Sequence, residues 1–452
     1  MNAFDRIRIA TVMTLAALLG TANSYAPPKS VASVLDKYRS YSELTTAAGS
    51  MDLDTYVSNL VTWQMPHGGF SKAHADLYKT VWDGKAELSS WSSDGVALGM
   101  FDNNATVQEM RLLATQYKAT KDATKKALFK SSFTKAVGFV LTSALPNGGW
   151  PQVYPLRTGT TYSNMATYND NAMVRVMVMV KDMVDKKAPF DSDLLSSGDL
   201  TNLSTALDKS VTFALKAQIV NGGKPTVWCA QHDPSTYAPA GARAYELPSK
   251  SGSESIGVTY FLMNWPNQTV EVQKAVKGSI AWYKKNRVAD LKFSSGDFLA
   301  SAGASMWYRF YEIATDDYFF CDRDGEPSKT QDITKLSTDR RTGYQWAGDY
   351  GSALLKLEAD YTAALGTTSI GTGRTGSEIR IVGNRIVADL SHDGLYQVQV
   401  LDARGALRAS STAFASNGHL VVAVPAMNGI EIGFVRLVHD GQTTVAQPFT
   451  HF

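Results

Sequence analysis

The sequence has few cysteines, no excess of either charge, and no long apolar run beyond its first 26 residues. Two cysteines, Cys229 and Cys321, among 452 residues exclude a disulfide-rich scaffold and a four-cysteine zinc site. Lys and Arg total 44 against 42 Asp and Glu, a net charge of +2. This balance argues against a nucleic-acid partner, which would require a broadly basic surface. Any other anionic partner must be held by locally placed cations.

The composition is that of a globular protein, with 44% hydrophobic and 19% charged residues. A chain of this length has room for about two or three domains.

The N-terminus has the layout of a signal peptide. Arg6 and Arg8 precede an apolar run over residues 9–20, and small residues follow at Ser24 and Ala26. The run is shorter than the roughly 20 residues that a membrane span needs. We therefore expect residues 1–26 to be removed, and the protein to be secreted or periplasmic without stable membrane association. In an oxidising compartment the two cysteines form a disulfide or stay as buried thiols, and the sequence leaves both open.

Residues 27–365 have a helical texture with an internal repeat. Segments 127–143 and 203–218 have amphipathic spacing, and 174–180 follows a polar Asn-Asp pair that favours a helix start. Glycine pairs begin at 68, 148 and 222, at intervals of 80 and 74 residues. Paired glycines suit the turn after a helix. Repeated helix pairs ending at equivalent turns predict an α/α toroid with its turns gathered at one end.

The texture changes after a Gly/Thr/Ser-rich linker at 366–376. Strand-like segments at 396–400, 420–424 and 430–438 predict a small β-sandwich over residues 377–452. This stretch has no cluster of acids, histidines or cysteines, which indicates an accessory module. The predicted fold is thus mainly α, a toroid followed by a β-sandwich.

Four polar clusters in the helical region are candidates for chemistry, beginning at Asp102, Tyr168, Trp228 and Arg323. Carboxylate and amide oxygens suit Ca²⁺, which takes about 6–8 oxygen ligands, but Asp and Asn are also common helix caps. Arginines beside aromatic residues suit an acidic sugar, because a guanidinium binds a carboxylate through two hydrogen bonds. Neither a GxSxG motif nor a P-loop is present.

Eight motifs in order over residues 30–350 resemble polysaccharide lyase family 10, the pectate (pectic acid) lyases. They are GGWPQ (148–152), YNDNAM (168–173), VWCAQHDP (227–234), ARAYE (242–246), SGSES (251–255), WYRFYE (307–312), RDG (323–325) and RRTGYQW (340–346).

The resemblance implies an α/α toroid and calcium-dependent β-elimination of polygalacturonate, which breaks the C4–O bond and gives unsaturated oligogalacturonides. It implies that Ca²⁺ is the cofactor and that polygalacturonate is the partner; we expect a monomer. Two alternatives remain: an acidic-glycan binding protein without activity, and an α/α-toroid glycoside hydrolase, which needs two opposed carboxyl groups.

The resemblance also assigns roles to individual residues. Asp102, Asn103 and Asp170 are implied as calcium ligands, with Asp102 also counted among the catalytic residues.

Arg243 matches the arginine that binds the substrate carboxylate, and Arg323 matches the Brønsted base. Tyr344 is a further substrate-binding candidate that could share the role of base with Arg323. Trp150 is a candidate for stacking on a sugar ring, with core packing as the alternative.

Two positions depart from the expected family pattern. Lys250 stands where an apolar residue is expected, and Asp322 precedes Arg323. An acid at Asp322 favours a charged guanidinium at Arg323, which works against a base.

Overall fold

A computed structural model describes residues 25–368, 379–382, 385–390, 394–402, 406–415, 419–423, 432–439 and 442–450. The chain divides into two compact units, residues 1–365 and 366–452. Most of the predicted signal peptide, residues 1–24, lies outside the described residues, as do residues 369–376 of the predicted linker. Residues 366–368 belong to the last helix. Within the described part of the chain, no helix is both long and apolar enough to cross a bilayer.

The first unit is mainly helical, as predicted. Its helices are α1 (Lys29–Ser33), α2 (Ser42–Ala48), α3 (Leu53–Thr62), α4 (Val107–Ala119), α5 (Ala123–Thr142), α6 (Ala172–Val184), α7 (Ser197–Ala217), α8 (Ser255–Met263), α9 (Val270–Lys285), α10 (Thr338–Thr342) and α11 (Ser352–Thr368). The helices predicted at 127–143, 174–180 and 203–218 correspond to α5, α6 and α7.

Short strands connect these helices. They are β1 (Ser92–Ser93), β2 (Val96–Ala97), β3 (Gly99–Met100), β4 (Val153–Tyr154), β5 (Ala166–Thr167), β6 (Val220–Asn221), β7 (Lys224–Pro225), β8 (Gln231–His232), β9 (Pro239–Ala240), β10 (Lys250–Ser251), β11 (Val288–Ser294), β12 (Asp297–Tyr308), β13 (Phe310–Tyr311) and β14 (Ala347–Gly348). The pairs are antiparallel, and the longest is the hairpin of β11 and β12.

The helices form two layers. Consecutive helices α4 and α5, α6 and α7, and α8 and α9 pack as pairs. The second members α5 and α7 also pack on each other, as do the first members α4 and α6. We call α4, α6 and α8 the first-layer helices, and α3, α5, α7 and α9 the second-layer helices. One continuous apolar core fills the space between them.

The two layers begin differently. The second-layer helices start at residues whose side chains accept a backbone N–H of the first turn, namely Asp52, Asp122, Ser196 and Thr269. Such a cap stabilises a helix by about 1 kcal/mol. The first-layer helices start at Thr106, Asn171 and Glu254, none of which makes a side-chain cap. Backbone N–H groups at the N-termini of the first-layer helices are therefore open to other partners.

The repeat is carried by a buried aromatic residue. Phe70, Trp150, Trp228 and Trp307 are fully buried and follow one another at intervals of 80, 78 and 79 residues. Each indole N–H donates to a carbonyl near the end of the preceding second-layer helix: Trp150 to Val140 at 2.9 Å, Trp228 to Ala214 at 2.7 Å, and Trp307 to Tyr283 at 2.8 Å. Sugar stacking by Trp150 is therefore wrong, because its side chain is committed to the core.

The predicted glycine turns are equivalent in two places only. At Gly68 and Gly148 a Cβ would lie 2.2 Å from the carbonyl oxygen of the neighbouring helix, and both residues have positive φ. Glycine is required there because no side chain fits. The third pair, Gly222–Gly223, sits in the β6–β7 hairpin, where a Cβ would meet nothing within 4 Å. The third equivalent turn closes instead through the hydrogen bond from Ile219 to Val227, at 2.9 Å.

The described residues of the second unit form β-strands from Ile379 onward. Its strands are β15 (Ile379–Val382), β16 (Arg385–Asp389), β17 (Gly394–Asp402), β18 (Leu407–Ala415), β19 (His419–Ala423), β20 (Ile432–His439) and β21 (Gln442–Thr450). They form two antiparallel sheets, ordered β15-β16-β19 and β18-β17-β20-β21. One apolar cluster draws side chains from both sheets, including Ile386, Val398, Leu420 and Val435. The described parts of the three predicted strand segments fall in β17, β19 and β20.

A buried acid on α4 makes the stability of the first unit sensitive to pH. Glu109 accepts a hydrogen bond from the Tyr78 hydroxyl at 3.3 Å, and its second oxygen has no partner among the described residues. Burial raises the pKa of Glu109 from 4.5 to about 8. The folded state thus favours the protonated acid, and this stabilisation is complete below pH 4.5 and is lost as the pH rises through about 8.

We expect Glu109→Gln to remove this loss, because glutamine cannot ionise. Melting temperature measured from pH 5 to pH 9 should fall more steeply for the wild type than for the variant. Parallel curves for the two proteins would contradict a buried neutral acid at this position.

Candidate active site

The loops that leave the buried aromatic residues return to the start of the next first-layer helix. The carbonyls of Phe70, Trp150 and Trp228 accept hydrogen bonds from the backbone N–H groups of Met100, Thr167 and Ser251. In the fourth repeat the corresponding pair is Trp307 on β12 and Gly348 on β14. Asp102, Asp170 and Glu254 each lie between such an anchored residue and the next helix. The repeat therefore brings acids from three loops to the uncapped ends of α4, α6 and α8.

Two of these loops share a strained 3₁₀ turn. In Asp102–Asn104 and Asn169–Asn171 the second and third residues have positive φ: 49° and 69° at Asn103 and Asn104, and 51° and 60° at Asp170 and Asn171. Asn and Asp tolerate this conformation better than other non-glycine residues. Strained backbone of this kind is concentrated at functional sites. Asn103 and Asp170 thus occupy equivalent positions, and both are exposed.

The predicted ligands Asp102 and Asp170 lie close enough to repel each other. The Asp170 side chain is 49% exposed, but the chain packed around it removes part of its solvation, and this raises its pKa; Arg309 opposes the rise, and the negative charges of Glu254 and Asp102 add to it. Asp102 is buried, and its Oδ2 pairs with the Lys72 ammonium at 2.5 Å. Asp170 is thus a carboxylate that would gain from a nearby cation.

Arg309 is the central cation of the site, and sequence reasoning assigned it no role. Its Nη2 lies 2.5 Å from Glu254 Oε1, 3.3 Å from Asn169 Oδ1 and 3.7 Å from Asp170 Oδ1. The paired Glu254 is buried and also accepts the Ser251 hydroxyl. Both Arg309 and Glu254 belong to the quoted motifs WYRFYE and SGSES. Their presence in these motifs could have identified them as site candidates from the sequence, whereas their pairing depends on the fold.

The other predicted residues, Arg243, Arg323 and Tyr344, lie with Tyr245 and Arg340 in what we call the arginine–tyrosine cluster. The Tyr245 ring lies 4.8 Å from the Arg243 guanidinium carbon, 5.8 Å from that of Arg323 and 4.4 Å from that of Arg340. The Tyr344 ring lies 3.9 Å from that of Arg340 and 5.0 Å from that of Arg309. The Tyr344 ring therefore connects this cluster to Arg309, which borders Asp170.

Arg243 and Arg323 are both held in the charged form. Arg243 forms two hydrogen bonds with Glu246, at 2.9 and 2.5 Å, which raise its pKa. Arg323 binds Asp339 Oδ2 at 2.6 Å, and this bond raises the pKa of Arg323. Asp339 is thus the main influence and Asp322 a minor one, because the Asp322 carboxylate is occupied by the Ser337 backbone N–H and hydroxyl.

Burial raises the pKa of Tyr344. Its hydroxyl is therefore neutral over the ordinary pH range.

Lys250, the first departure from the family pattern, has a structural partner. It is fully buried and forms an ion pair with Asp316. Asp316 also accepts the Trp282 indole N–H and the Lys285 ammonium, each at 2.8 Å. The lysine therefore ties β10 to α9 and to the loop after β13, and it takes no part in the site.

The two cysteines are free buried thiols. Cys321 Sγ donates to the Tyr245 carbonyl at 3.2 Å and Cys229 Sγ to the Ala240 carbonyl at 3.4 Å. Burial raises the pKa of both thiols. The alternative of two buried thiols is the one that the structure shows.

Comparison with known proteins identifies the family. The model of the pectic acid lyase family matches residues 64–355. The chain belongs to the pectic acid lyase family. It is similar to the family 10 polysaccharide lyase from Cellvibrio cellulosa, with 35% identity, a TM-score of 0.59, and coverage of 72% of this chain and 97% of that one. No curated protein sequence matches the chain.

A second similar solved structure contains a bound oligosaccharide. It is an aspartate-to-alanine mutant of the family 10 polysaccharide lyase from Cellvibrio cellulosa, in complex with trigalacturonic acid. The identity is 36% and the TM-score 0.60, with 72% of this chain and 98% of that one covered. The prediction of a pectate lyase of polysaccharide lyase family 10 is therefore confirmed.

The buried pair of Glu254 and Arg309 should be important for stability. Glu254→Gln leaves a buried guanidinium without its strongest partner, and breaking such a pair costs about 3 kcal/mol. We expect chemical denaturation to show a lower free energy of unfolding for this variant. Asp339→Asn is the matched control, since it breaks an exposed pair and should change stability little. Equal losses in both variants would contradict a dominant role for the buried pair.

Proposed function

We propose that the protein is an exported pectate lyase that cleaves polygalacturonate by calcium-assisted β-elimination between C4 and C5. The supporting observation is that Arg309 lies between two groups of charged side chains. The crowded carboxylates of Asp102 and Asp170 lie on one side, and the arginine–tyrosine cluster on the other. A polyanionic sugar needs cations for its carboxylates and a means of stabilising further negative charge.

The chemistry explains why cations matter. The C5 proton of a galacturonate is α to the C6 carboxylate, so its removal adds negative charge to that carboxylate. Guanidinium groups that already bind the carboxylate are positioned to stabilise this charge as it develops. The C4–O bond then breaks, the departing oxygen takes up a proton from water and leaves with the neighbouring chain, and a C4–C5 double bond remains. We assign carboxylate binding to Arg243 and include Tyr344 in the substrate-binding surface.

The donor set fits a cation held jointly with substrate. Asp102, Asn103 and Asp170 are the proposed ligands, and all carry oxygen donors. Among the described residues, no group of three or more acids, histidines or cysteines could hold a metal alone. Ca²⁺ takes about 6–8 oxygens, so glycan carboxylates and water would supply the remainder. When bound, Ca²⁺ would add positive charge beside the reacting carboxylate.

We assign the proton acceptor to Arg323, as its match to the RDG motif implies. A guanidinium must lose its proton to act as a base, and Asp339 opposes that loss. The role therefore requires that the pair with Asp339 opens and that other cations approach when substrate binds. Arg243 is the second candidate, since it lies on the same Tyr245 ring.

A glycoside hydrolase remains the second function, because one observation favours it. The raised pKa of Asp170 beside Asp102 and Glu254 is the pattern of an acid paired with a carboxylate. The basic cluster favours the lyase, because arginines have no acid–base role in glycoside hydrolysis of this type.

We further propose that the helical layers close into an α/α toroid, that the two C-terminal sheets form a sandwich, and that the protein is a secreted or periplasmic monomer.

The first test of the lyase is product chemistry. Polygalacturonate with Ca²⁺ should yield product with the ultraviolet absorbance of the conjugated C4–C5 double bond, and EDTA should abolish this. New reducing ends without that absorbance would establish hydrolysis. Binding without any cleavage would establish a glycan-binding protein.

The second test concerns the base. Arg323→Lys should nearly abolish turnover while substrate affinity, measured by calorimetry, stays measurable. Asp339→Asn should lower the pKa of Arg323 and so move the acid limb of the kcat/KM profile to lower pH, since less alkaline conditions then free the base.

Two results would oppose the assignment to Arg323. Near-normal turnover of Arg323→Lys would directly contradict the assignment of the base to Arg323. A profile of Asp339→Asn that changes only in KM would make Arg323 a binding residue, and Arg243→Lys would then be the variant expected to lose turnover.

A further inference from the structure

A polar groove extends from Asn103 and Asp170 towards the residues that follow α1. Its volume is about 450 Å³, and its walls come from residues 37–43 and from α4 and α6. Lys37 and Arg175 both line it, and neither forms a salt bridge within the described residues. The groove therefore contains two cations without a salt-bridge partner near the proposed calcium ligands.

The same groove concentrates unused hydrogen-bonding atoms. Asn104, Gln108 and Arg175 line it, and one polar atom of each (Asn104 Oδ1, Gln108 Oε1 and Arg175 Nε) is buried without a hydrogen-bond partner among the described residues. The buried hydroxyl of Tyr38, next to Lys37 in the chain, also has no hydrogen-bond partner among the described residues. More than 90% of buried polar groups in folded proteins are satisfied, so such a concentration indicates a binding surface.

The surrounding packing holds these groups in place. A Cβ at Gly257 would lie 2.7 Å from Asn171 Oδ1 and 3.0 Å from the Tyr38 hydroxyl, so only glycine leaves room for both side chains at this point. Asn104 Nδ2 donates to the Ser40 carbonyl at 2.8 Å, which fixes the amide and turns its oxygen away from that bond. The groove is thus formed in advance of any ligand.

We propose that this groove is an additional subsite for one uronic-acid unit of the glycan, in which Arg175 and Lys37 bind the carboxylate and Asn104 and Gln108 accept hydroxyl groups. The inference rests on the proposed lyase function and extends the substrate-binding surface beyond the arginine–tyrosine cluster.

The charge pattern of the groove favours a sugar acid over a small inorganic anion. Glu43 also lines it and accepts a hydrogen bond from Gln108 Nε2 at 3.1 Å, and Asp170 is a further lining residue. Two carboxylates beside two cations disfavour a multiply charged anion such as phosphate. A uronate has a single charge and several hydroxyl groups, which matches the two cations and the two free amide oxygens.

The test compares Arg175→Gln and Lys37→Gln with Lys292→Gln, which removes an exposed positive charge outside the groove. Steady-state kinetics with polygalacturonate should show KM raised about tenfold or more in both groove variants, with kcat nearly unchanged and no effect in the control. Calorimetry with trigalacturonate in EDTA should show a parallel loss of affinity. Arg175→Lys should recover part of it.

The outcomes separate the subsite from the function. A wild type that neither binds nor cleaves polygalacturonate overturns the proposed function and the subsite with it. An active wild type with groove variants whose KM and affinity stay within about twofold overturns the subsite alone. A fall in kcat at constant KM also overturns it, because Arg175 would then act through the charge of Asp170. Lys37 is exposed, so its variant remains informative if Arg175→Gln folds poorly.

Discussion

The hydrogen bond from a buried indole to the last turns of a second-layer helix is the constraint on which the rest of this structure depends. It recurs at Trp150, Trp228 and Trp307, and Phe70 occupies the same place without the polar contact. Because the backbone carbonyls of Phe70, Trp150 and Trp228 also accept hydrogen bonds from residues shortly before the next first-layer helix, these three loops have both ends fixed. The loops can then differ in length and sequence while their acids return to the same level.

The site is organised by the imbalance of charge that this arrangement produces. Three acids meet at the uncapped starts of first-layer helices, where Lys72 pairs with Asp102 and the buried Arg309 pairs with Glu254. Arg309 is committed to Glu254, which leaves Asp170 only a distant share of that cation at 3.7 Å. A site that is nearly but not fully neutralised is suited to a ligand that brings both a metal ion and carboxylates of its own.

Much of the fold was predictable from the sequence because it depends on local patterns. Amphipathic spacing located α5, α6 and α7, and the change of texture located the β region. The glycine pairs revealed the repeat but misplaced its third turn, because an inserted hairpin holds glycines for a different reason. The repeating element was the aromatic residue, whose burial and partner depend on tertiary packing.

The site was predictable only in part. The motifs supplied the acids and exposed arginines, but pairing is a matter of distance. No feature of the sequence shows that Arg309 reaches Glu254, that Lys72 holds Asp102, or that Asp339 rather than Asp322 controls the charge of Arg323. Trp150 was a candidate for sugar stacking for the same reason, since the sequence does not show whether a tryptophan in a turn is exposed or buried.

The β11–β12 hairpin has an implication for how such a protein can change. It fills the span from the end of α9 to Trp307, which lies near the end of β12, and yet the Trp307 indole reaches the Tyr283 carbonyl just as its counterparts do where the intervening chain is short. The span before each anchoring aromatic residue is therefore a position where segments can be gained or lost without moving the catalytic loops. New surfaces, and with them preferences for differently decorated pectins, can be acquired there independently of the chemistry.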